Sequence, residues 1–440
     1  MGKTMNKVLS NFEAVITDLS HDGRGISHIN GKTTFIRGAL PNETVKAQYT
    51  NKRSQFDEAN LIEIIVPSAE RVTPPCQHFG VCGGCSLQHM SPALQITHKQ
   101  AVLLNHLKHF GQIEPDQILA PITGATLGYR RKGRLGVRYV RKKERLLVGF
   151  REINGRMLAD LKQCEVLDPR VGVHLTDLIQ LVSNLAHYDH IPQIEVAMGD
   201  EKTALIFRHM VPFDQTEIQQ LCEFGQTHEF DIYLQPAGVA SIHKIWPQDE
   251  NLRLSYKISQ EKLELLFHPA DFTQVNADIN QKMIQQALEL LDISPNDCVL
   301  DLFCGLGNFT LPIAKHAKQV TGVEGDAEMV KRGNENAAHN QLENASFYSA
   351  NLMEDCSQMP WFKPIYDKIL IDPPRTGAEN IINHLPKLKA KRIVYVSCNP
   401  ATLARDAGIL VKQGYRLKCA GVMDMFPHTE HVESIALFEI

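Results

Sequence analysis

The stretch VLDLFCGLGNF, residues 299–309, decides the fold of this chain. It reads as an apolar β-strand that runs into a glycine-rich turn, and a helical pattern follows. Glycines allow the backbone to approach a ligand closely, and such a turn is typical of the first strand–helix junction of an open α/β sheet. The stretch therefore predicts a cofactor site at the carboxyl edge of a parallel sheet.

The next strand and the glycine spacing narrow the kind of cofactor. Glu324 ends that strand, 23 residues after Asp301, where an acid can accept hydrogen bonds from both ribose hydroxyls. The pattern is G-x-G-N rather than G-x-G-x-x-G, and no further phosphate-binding glycine follows. This favours a cofactor without a pyrophosphate, such as S-adenosylmethionine, over a nicotinamide dinucleotide.

Strand and helix patterns alternate around this stretch from residue 269 to the end of the chain. They predict a parallel sheet with helices on both faces over residues 269–440. We expect the last two strands to form a terminal hairpin. The strand candidates are CVLDLF, QVTGVEG, ASFYSA, DKILID, RIVYVSC, YRLKCAGVMDMF and HVESIALFEI.

Upstream of this domain, the sequence predicts two further domains. Residues 1–67 contain short alternating strands separated by turn residues, which suits a small β-barrel. Residues 68–268 are β-rich after an initial cysteine-rich loop. Within them, a helix over 91–110, opened by Ser91-Pro92, is expected to pack on the last domain.

The composition indicates an ordinary globular protein of the cytoplasm. The chain has 440 residues, of which 43% are hydrophobic and 22% are charged. The sequence contains no apolar run of about 18 residues and no apolar stretch near its start, so we expect neither a membrane span nor a secretory signal. Nothing in the sequence implies a protein partner, and we expect a monomer.

A basic segment at residues 129–156 departs from the net charge of -4. It contains eleven Lys and Arg residues but only two acids, which indicates a polyanionic partner such as RNA. Tyr129 and Tyr139 lie among these charges and are expected to line an RNA track. The alternative is a solvated, charged hairpin. The expected RNA contacts are Arg130, Arg131, Lys132, Arg134 and Arg138.

Cys398 and Glu433 are the candidate reacting residues. Cys398 follows the strand RIVYV, so it lies at the carboxyl edge of the predicted sheet, and Glu433 begins the last strand. A thiolate that adds to C6 of a uracil makes C5 nucleophilic enough to attack a methyl sulfonium. The C5 proton must then leave, which needs a base.

Five motifs together resemble the RNA uridine-C5 methyltransferases over roughly the last 170 residues. They are F-x-QVN at 272–276, DLFCG-x-GN at 301–308, DPPR at 372–375, SCNP at 397–400 and H-x-E at 431–433. The resemblance implies an α/β class I (Rossmann-like) S-adenosylmethionine methyltransferase fold over residues 269–440, with Cys398 as the nucleophile and Glu433 as the general base. It implies contacts with S-adenosylmethionine from Gln274, Phe303, Asn308, Glu324, Asn351 and Asp372.

Two upstream features extend the resemblance. The DGRG turn at 22–25 and the PNE turn at 41–43 resemble the TRAM domain, an RNA-binding barrel of the OB kind. The second feature is a cysteine motif in which Cys76, Cys82 and Cys85 lie close together and Cys164 is distant. Four cysteines suit zinc or an iron–sulfur cluster. In ribosomal-RNA members of the family this motif holds a [4Fe-4S] cluster, which implies a cluster that shapes an RNA-binding loop and takes no part in redox chemistry. The implied ligands are Cys76, Cys82, Cys85 and Cys164.

The barrel and the cysteine motif together resemble one ribosomal branch of the family. That branch methylates uridine 1939 of 23S ribosomal RNA and produces 5-methyluridine. A transfer-RNA uridine-C5 methyltransferase is the nearest alternative, and a non-catalytic RNA-binding factor for ribosome assembly is another. The presence of Cys398 and Glu433 argues against the non-catalytic alternative.

Overall fold

The computed structural model describes residues 10–153, 155, 157–249, 251–362 and 365–440. The first nine residues of the predicted barrel therefore lie outside the described residues. Within the described part, three large sheets follow one another along the chain. None of the described helices combines the length and the apolar character that a membrane crossing requires.

The N-terminal sheet has the strand order β1-β5-β6-β4-β3-β2. Its strands alternate buried and exposed side chains, and Ile36, Val45 and Ala47 are fully buried in its core. Asn30 and Gly31 both have positive φ angles, of 51° and 77°, as a tight hairpin turn between β3 and β4 requires. The strands are β1 (Asn11–Val15), β2 (Asp18–Leu19), β3 (Gly25–Ile29), β4 (Lys32–Arg37), β5 (Thr44–Lys52) and β6 (Phe56–Val66).

Helix α1 (Pro92–His106) begins after the cysteine-rich loop. The Ser91 hydroxyl accepts a hydrogen bond from the Leu94 amide at 3.1 Å, and Pro92 occupies the first turn. The helix packs on the C-terminal part of the chain, where Val102 and Leu103 join its core. The short strand β7 (Gln117–Ile118) then pairs with the edge of the C-terminal sheet.

The central sheet has the order β13-β12-β11-β10-β8-β9. Helix α4 was not predicted from the sequence, although Asp214 and Glu217 form a capping box at its start. The elements are β8 (Lys132–Val140), β9 (Arg145–Gly149), α2 (Pro169–Gly172), α3 (Leu175–Ser183), β10 (Gln193–Met198), β11 (Thr203–Arg208), α4 (Gln215–His228), β12 (Phe230–Gln235) and β13 (His243–Trp246). A separate hairpin, β14 (Leu254–Ile258) and β15 (Leu263–Phe267), leads to the C-terminal sheet.

The C-terminal sheet contains all seven predicted strands in the order β18-β17-β16-β19-β20-β22-β21-β7. Strands β16 to β20 are parallel, and β22 runs antiparallel between β20 and β21 as part of the expected hairpin. The elements are α5 (Ala277–Leu291), β16 (Cys298–Leu302), α6 (Thr310–Ala314), β17 (Gln319–Glu324), α7 (Ala327–His339), β18 (Ala345–Ser349), β19 (Lys368–Ile371), α8 (Glu379–Ile382), β20 (Arg392–Ser397), α9 (Pro400–Lys412), β21 (Arg416–Met423) and β22 (Glu433–Glu439).

This topology determines which residues share an edge. The carboxyl ends of the five parallel strands lie at one edge of the sheet, and the amino end of antiparallel β22 lies at the same edge. Large hydrophobic clusters cover both faces of the sheet, so its strands read as nearly continuous apolar runs. The edge is therefore where the polar groups of these strands become accessible.

Candidate active site

The glycine-rich turn after β16 is held against the next strand by its backbone. The amides of Phe303 and Cys304 both donate to the carbonyl oxygen of Val323, at 2.8 and 3.1 Å. Gly307 has a φ angle of 101°, and a Cβ atom there would lie 3.0 Å from the Leu311 side chain. Both the backbone conformation and the packing therefore require glycine at this position.

Glu324 ends β17 beside this turn. Its Oε1 accepts hydrogen bonds from the amides of Gly325 and Asp326, at 2.7 and 3.1 Å, and its Oε2 accepts from the Gly305 amide at 3.1 Å. Since a carboxylate oxygen has two lone pairs, Oε2 keeps one acceptor site beyond its bond to Gly305. The carboxylate is thus fixed at the turn and still able to accept a bond from a ligand.

Asp301 and Asp372 add two carboxyl groups to the same place. Asp301 is fully buried, and burial, reinforced by the charges of Asp372 and Glu324, raises the pKa of Asp301 to about 8. Burial and the charge of Glu324 raise the pKa of Asp372 to about 7. Within the described residues, Oδ1 of Asp301 has no hydrogen-bond partner. This concentration of acids favours a positively charged ligand.

The remaining predicted cofactor contacts differ in how firmly they are held. The side-chain amides of Asn308 and Asn280 exchange two hydrogen bonds, at 2.9 and 3.0 Å, and the Tyr256 hydroxyl donates to Asn308 at 2.9 Å. Gln274 lines a small cavity with Tyr256 and Asn280. Asn351, just after β18, is exposed and bonds locally to Glu354 at 2.7 Å. Sequence reasoning missed Tyr256 and Asn280, because neither belongs to a motif that the family resemblance supplied.

Cys398 and Glu433 meet at the same edge. The register of β20 and β22 pairs Ser397 with Ser434, so each candidate residue lies next to this pair. Burial, reinforced by the charges of Glu433 and Asp372, raises the pKa of the Cys398 thiol to about 11. Burial also raises the pKa of Glu433, which is 5% exposed, well above its usual range. The two side chains therefore share one electrostatic environment beside the turn.

Arg375 is the positive charge in this environment. It lowers the pKa of Cys398 and that of Glu433, in opposition to burial. Its guanidinium lies 3.3 Å from the ring of His431, and its carbonyl oxygen accepts a hydrogen bond from the Asn399 side chain at 3.0 Å. Arg375 belongs to the DPPR motif at 372–375, but the sequence alone assigned it no role in the reaction.

The four predicted cluster cysteines surround one cavity of about 90 Å³. Burial, reinforced by the other thiols of the set, raises the pKa of Cys82 to about 11 and that of Cys85 to about 12. Among the described residues, no three of these sulfur atoms lie within 4.8 Å of one another. Arg130 also lines the cavity, and its Nε donates a hydrogen bond to the carbonyl oxygen of Lys132 at 2.9 Å.

Three of the five expected RNA contacts have partners inside the protein, and their contact with RNA stays a prediction. Arg130 faces the cysteine cavity, and Arg131 pairs with Asp200 at 2.5 Å. The Lys132 ammonium donates to the carbonyl oxygens of Pro269 and Asp271, and burial lowers its pKa to about 8.

The strand residues that follow keep the expected exposure. Arg134 and Arg138 are exposed. Tyr129 does not line an RNA track, because it is buried and its hydroxyl donates to the carbonyl oxygen of Pro427 at 3.0 Å. Tyr139 packs against Tyr188. Arg156, at the end of the basic segment, lies outside the described residues.

A second group of possible metal ligands lies between α3 and α4. Atoms of His174, Asp177 and His228 lie within 4.8 Å of one another. His174 bonds to Asp177 across the first turn of α3 at 2.7 Å, and the ring of His228 packs edge-on against His174 and stacks on Phe230. A side-chain hydrogen bond in the first turn of α3 and aromatic packing explain these contacts, so we assign no metal to this group.

Two family models match the chain. Residues 196–439, more than half of the chain, match the family described as tRNA (Uracil-5-)-methyltransferase. The chain belongs to the RNA uracil-C5 methyltransferases. Residues 7–62 match the TRAM domain, so the predictions of this family and of an N-terminal TRAM domain are both confirmed.

Full-length relatives of this methyltransferase are found in several bacteria. The 23S rRNA (uracil(1939)-C(5))-methyltransferase RlmD of Alcanivorax borkumensis is 56% identical over 97% of this chain and 96% of its own length. The proteins of that name from Francisella tularensis subsp. novicida and Xanthomonas campestris pv. campestris are 55% and 52% identical, each over 97% of this chain and over 96% and 97% of their own.

A solved structure shows the same fold. The Pyrococcus abyssi tRNA (uracil-54, C5)-methyltransferase in complex with S-adenosyl-L-homocysteine superposes with a TM-score of 0.74. It covers 97% of this chain and 99% of its own at 22% identity, so this likeness shows the fold alone. The predicted Rossmann-like methyltransferase fold is thereby confirmed.

Proposed function

We propose that this chain methylates C5 of uridine 1939 in 23S ribosomal RNA, using S-adenosylmethionine, with Cys398 as nucleophile and Glu433 as general base. The observation that carries the proposal is the meeting of these two side chains at the ends of the paired strands β20 and β22, beside the acidic glycine-rich turn. Relatives more than 50% identical over nearly their whole length bear the name of this activity.

The chemistry explains why both groups are needed. The Cys398 thiolate adds to C6 of the uracil and makes C5 a carbanion equivalent. S-adenosylmethionine supplies the methyl group as an electrophile on a sulfonium. Once C5 carries the methyl group, Glu433 removes its proton, the C5–C6 double bond forms again, and the Cys398–C6 bond breaks. The nucleophile is released at the end of each turnover.

The acidic turn suits this cofactor better than a dinucleotide. The mutual repulsion of Asp301, Glu324 and Asp372 contributes to the raised pKa values of Asp301 and Asp372, and the positively charged groups of S-adenosylmethionine would relieve this repulsion, whereas a pyrophosphate would increase it. Glu324 keeps an acceptor for a ribose hydroxyl. The side chains proposed to contact the cofactor are Gln274, Phe303, Asn308, Glu324, Asn351 and Asp372.

The cysteine cavity is proposed to hold a [4Fe-4S] cluster. Cys76, Cys82, Cys85 and Cys164 supply four thiolates, the donor set that such a cluster prefers. A tetrahedral zinc ion with Zn–S bonds of about 2.3 Å would bring its sulfur atoms to about 3.8 Å. Among the described residues, no three of these sulfur atoms lie within 4.8 Å of one another, so they are not arranged around a point as small as a zinc ion. Its proposed role is to shape the loop, without redox chemistry.

The other parts are proposed to bind the RNA. The TRAM domain and the exposed Arg134 and Arg138 present surfaces for the phosphate backbone. We retain the boundaries 1–67, 68–268 and 269–440 for the three domains. The chain is proposed to act in the cytoplasm as a monomer.

A mechanism-based adduct tests the proposed chemistry. An RNA fragment that contains 5-fluorouridine at the target position should form a covalent, methylated adduct with the protein, because fluorine cannot leave C5 as a proton does. Cys398→Ala should form no adduct and no methylated product, whereas Cys222→Ala, which changes a half-buried thiol of the central part, should behave as the unaltered protein. Full activity of Cys398→Ala would disprove the mechanism.

Separate RNAs test the substrate. Labelled S-adenosylmethionine with transfer RNA and with a 23S fragment around position 1939 decides between the two substrate classes, since the matched family is described for transfer RNA. Label in transfer RNA alone would reject the ribosomal assignment. Iron and zinc analysis of anaerobically purified protein tests the cluster, which stoichiometric zinc in a colourless sample would contradict.

A further inference from the structure

The segment that joins β21 to β22 is buried although it has no regular secondary structure. It comprises residues 424–432 and ends directly at Glu433. Asp424, Met425 and His428 are at most 4% exposed. Buried backbone without a strand or helix ladder must find its hydrogen-bond partners elsewhere. The neighbours that supply these partners therefore determine where Glu433 stands.

Helix α1 supplies partners through two buried polar side chains one turn apart. The Lys99 ammonium, 1% exposed, donates to the Asp424 carboxylate at 2.7 Å and to the carbonyl oxygen of Phe426 at 2.9 Å. Gln95, also 1% exposed, accepts a hydrogen bond from the His428 amide at 2.8 Å. Lysine is almost never this buried unless it is paired. Both side chains hold the same segment.

The cysteine-rich loop also forms hydrogen bonds with the segment, in addition to those from α1. The amides of Ser86 and Leu87 both donate to the carbonyl oxygen of His428, at 2.8 and 3.0 Å. The Ser86 hydroxyl accepts a hydrogen bond from the Glu430 amide at 3.2 Å and also bonds to the Glu430 carboxylate. Because Ser86 directly follows Cys85, the segment is attached to the proposed cluster loop as well as to α1.

We propose that Lys99 and Asp424 form a positioning pair that places Glu433 for removal of the uracil C5 proton. The inference rests on the proposed function of Glu433. Replacing a buried ion pair with apolar side chains of similar volume often costs no stability, so folding alone does not require these charges. The pair orients the segment 424–432, and Glu433, the proposed base, directly follows this segment.

The chemistry gives this role a specific signature. When Glu433 is displaced, Cys398 still adds to C6 and C5 still receives the methyl group. The C5 proton then stays, so the electron pair of the C5–H bond cannot form the C5–C6 double bond and expel the Cys398 sulfur. A methylated covalent protein–RNA adduct therefore accumulates. A loss of general stability would lower every step and would not accumulate this species.

The test is the double variant Lys99→Met/Asp424→Leu of the full chain, in which the cysteine-rich loop is unaltered. Its substrates are a 23S fragment and labelled S-adenosylmethionine. Its matched control is Lys244→Met/Asp231→Leu, which removes another buried lysine–aspartate pair, 3.0 Å apart in the central sheet. The expected result is a kcat lowered about tenfold or more with KM nearly unchanged, as for an interaction used only during reaction. Labelled adduct should appear on a denaturing gel for this variant only.

The outcomes separate the positioning role from the proposed function. Normal kcat without adduct in the double variant would overturn the positioning role, and so would equal adduct in the Lys244 control. If the double variant does not fold, Gln95→Met, which removes the bond to the His428 amide and leaves no buried charge, is judged by the same two readouts. Methylation by Cys398→Ala would instead reject the proposed function itself.

Discussion

Arg375 lowers the pKa values of the two proposed reacting groups. The competent forms are the Cys398 thiolate and the Glu433 carboxylate, and burial raises both pKa values while Arg375 lowers them. We therefore predict that Arg375→Gln raises both pKa values further and moves the rising limb of the pH–kcat/KM profile upward by about one unit or more. Methylation rates of a 23S fragment between neutral and alkaline pH measure this shift.

Arg375→Lys is the matched control for that shift. It keeps a positive charge but changes the hydrogen-bonding geometry near His431. It should retain most of the unaltered pH profile even if the maximal rate falls. An Arg375→Gln profile with the same limb and only a lower plateau would show that Arg375 does not act through the titration of these groups.

Glu433 is predicted to lower the stability of the folded chain at alkaline pH. Its pKa is raised in the folded state by burial and by Asp372, so folding favours its protonated form. As the pH rises from the usual value of 4.5 through the folded pKa, the unaltered protein loses stability relative to Glu433→Gln, by about 1.4 kcal/mol for each unit of elevation. Glu433→Gln should therefore melt at a higher temperature at alkaline pH and at a similar temperature at acidic pH.

The exposed Glu343 provides the control for this effect. Its carboxylate is solvated in the folded chain, so Glu343→Gln should change the melting temperature equally at both pH values. A Glu433→Gln difference that does not grow with pH would mean that the carboxylate is neutralised by a neighbour, which contradicts its assignment as a free base. The same substitution should abolish turnover, so stability and activity change in opposite directions.

At the scale of elements, the turn between β16 and α6 is predicted to bind the cofactor through its backbone. In Gly307→Ala, a φ angle of 101° and a Cβ atom 3.0 Å from Leu311 should destabilise the turn by about 1–3 kcal/mol. The dissociation constant for S-adenosylhomocysteine, measured by calorimetry, should rise with it. Gly414→Ala is the control, since its φ angle is 99° and its Cβ atom would meet nothing within 4 Å. It should share the backbone strain and keep the affinity.

Elements with strong local patterns were predictable from the sequence. The seven strands of the C-terminal sheet were recognised because each is a short apolar run bounded by polar or turn residues, and parallel strands buried on both faces give that pattern. The start of α1 was recognised at Ser91-Pro92 because its capping residues are local. These predictions needed no knowledge of distant contacts.

Elements defined by tertiary contacts were not predictable. Strand β7 has two exposed residues and exists only through its pairing with β21, from a part of the chain about 300 residues away. Lys132 was expected at an RNA surface, but its burial against the carbonyl groups of Pro269 and Asp271 depends on how the central sheet meets the C-terminal part. The density of positive charge in the sequence indicated RNA as the partner. It could not indicate which of the basic side chains face the RNA, because that depends on tertiary contacts.

At the scale of the whole molecule, the three parts of the chain meet around the cysteine-rich loop. Leu40 of the N-terminal part packs with Leu87 and Met90 of the loop. Glu43, fully buried, pairs with Arg71 at 2.5 Å and ties the N-terminal sheet to the start of the loop. The loop in turn holds the segment before Glu433. The loop therefore connects the N-terminal sheet to the segment before Glu433 through direct contacts.

The charge distribution predicts how strongly RNA binding depends on salt. Arg134 and Arg138 are exposed on β8 of a chain whose net charge is -4, so they can contact phosphates that the rest of the protein would repel. Each arginine that contacts a phosphate contributes about 0.7–0.9 to the slope of log affinity against log salt. We predict that Arg134→Gln and Arg138→Gln each lower the slope for a 23S fragment by nearly that amount, measured by filter binding at several salt concentrations.

Lys132→Met is the control for this prediction, because the Lys132 ammonium donates its hydrogen bonds to carbonyl oxygens inside the protein. It should lower stability and leave the slope unchanged, and a slope reduced by Lys132→Met but not by the two arginine variants would contradict this assignment of the RNA contacts.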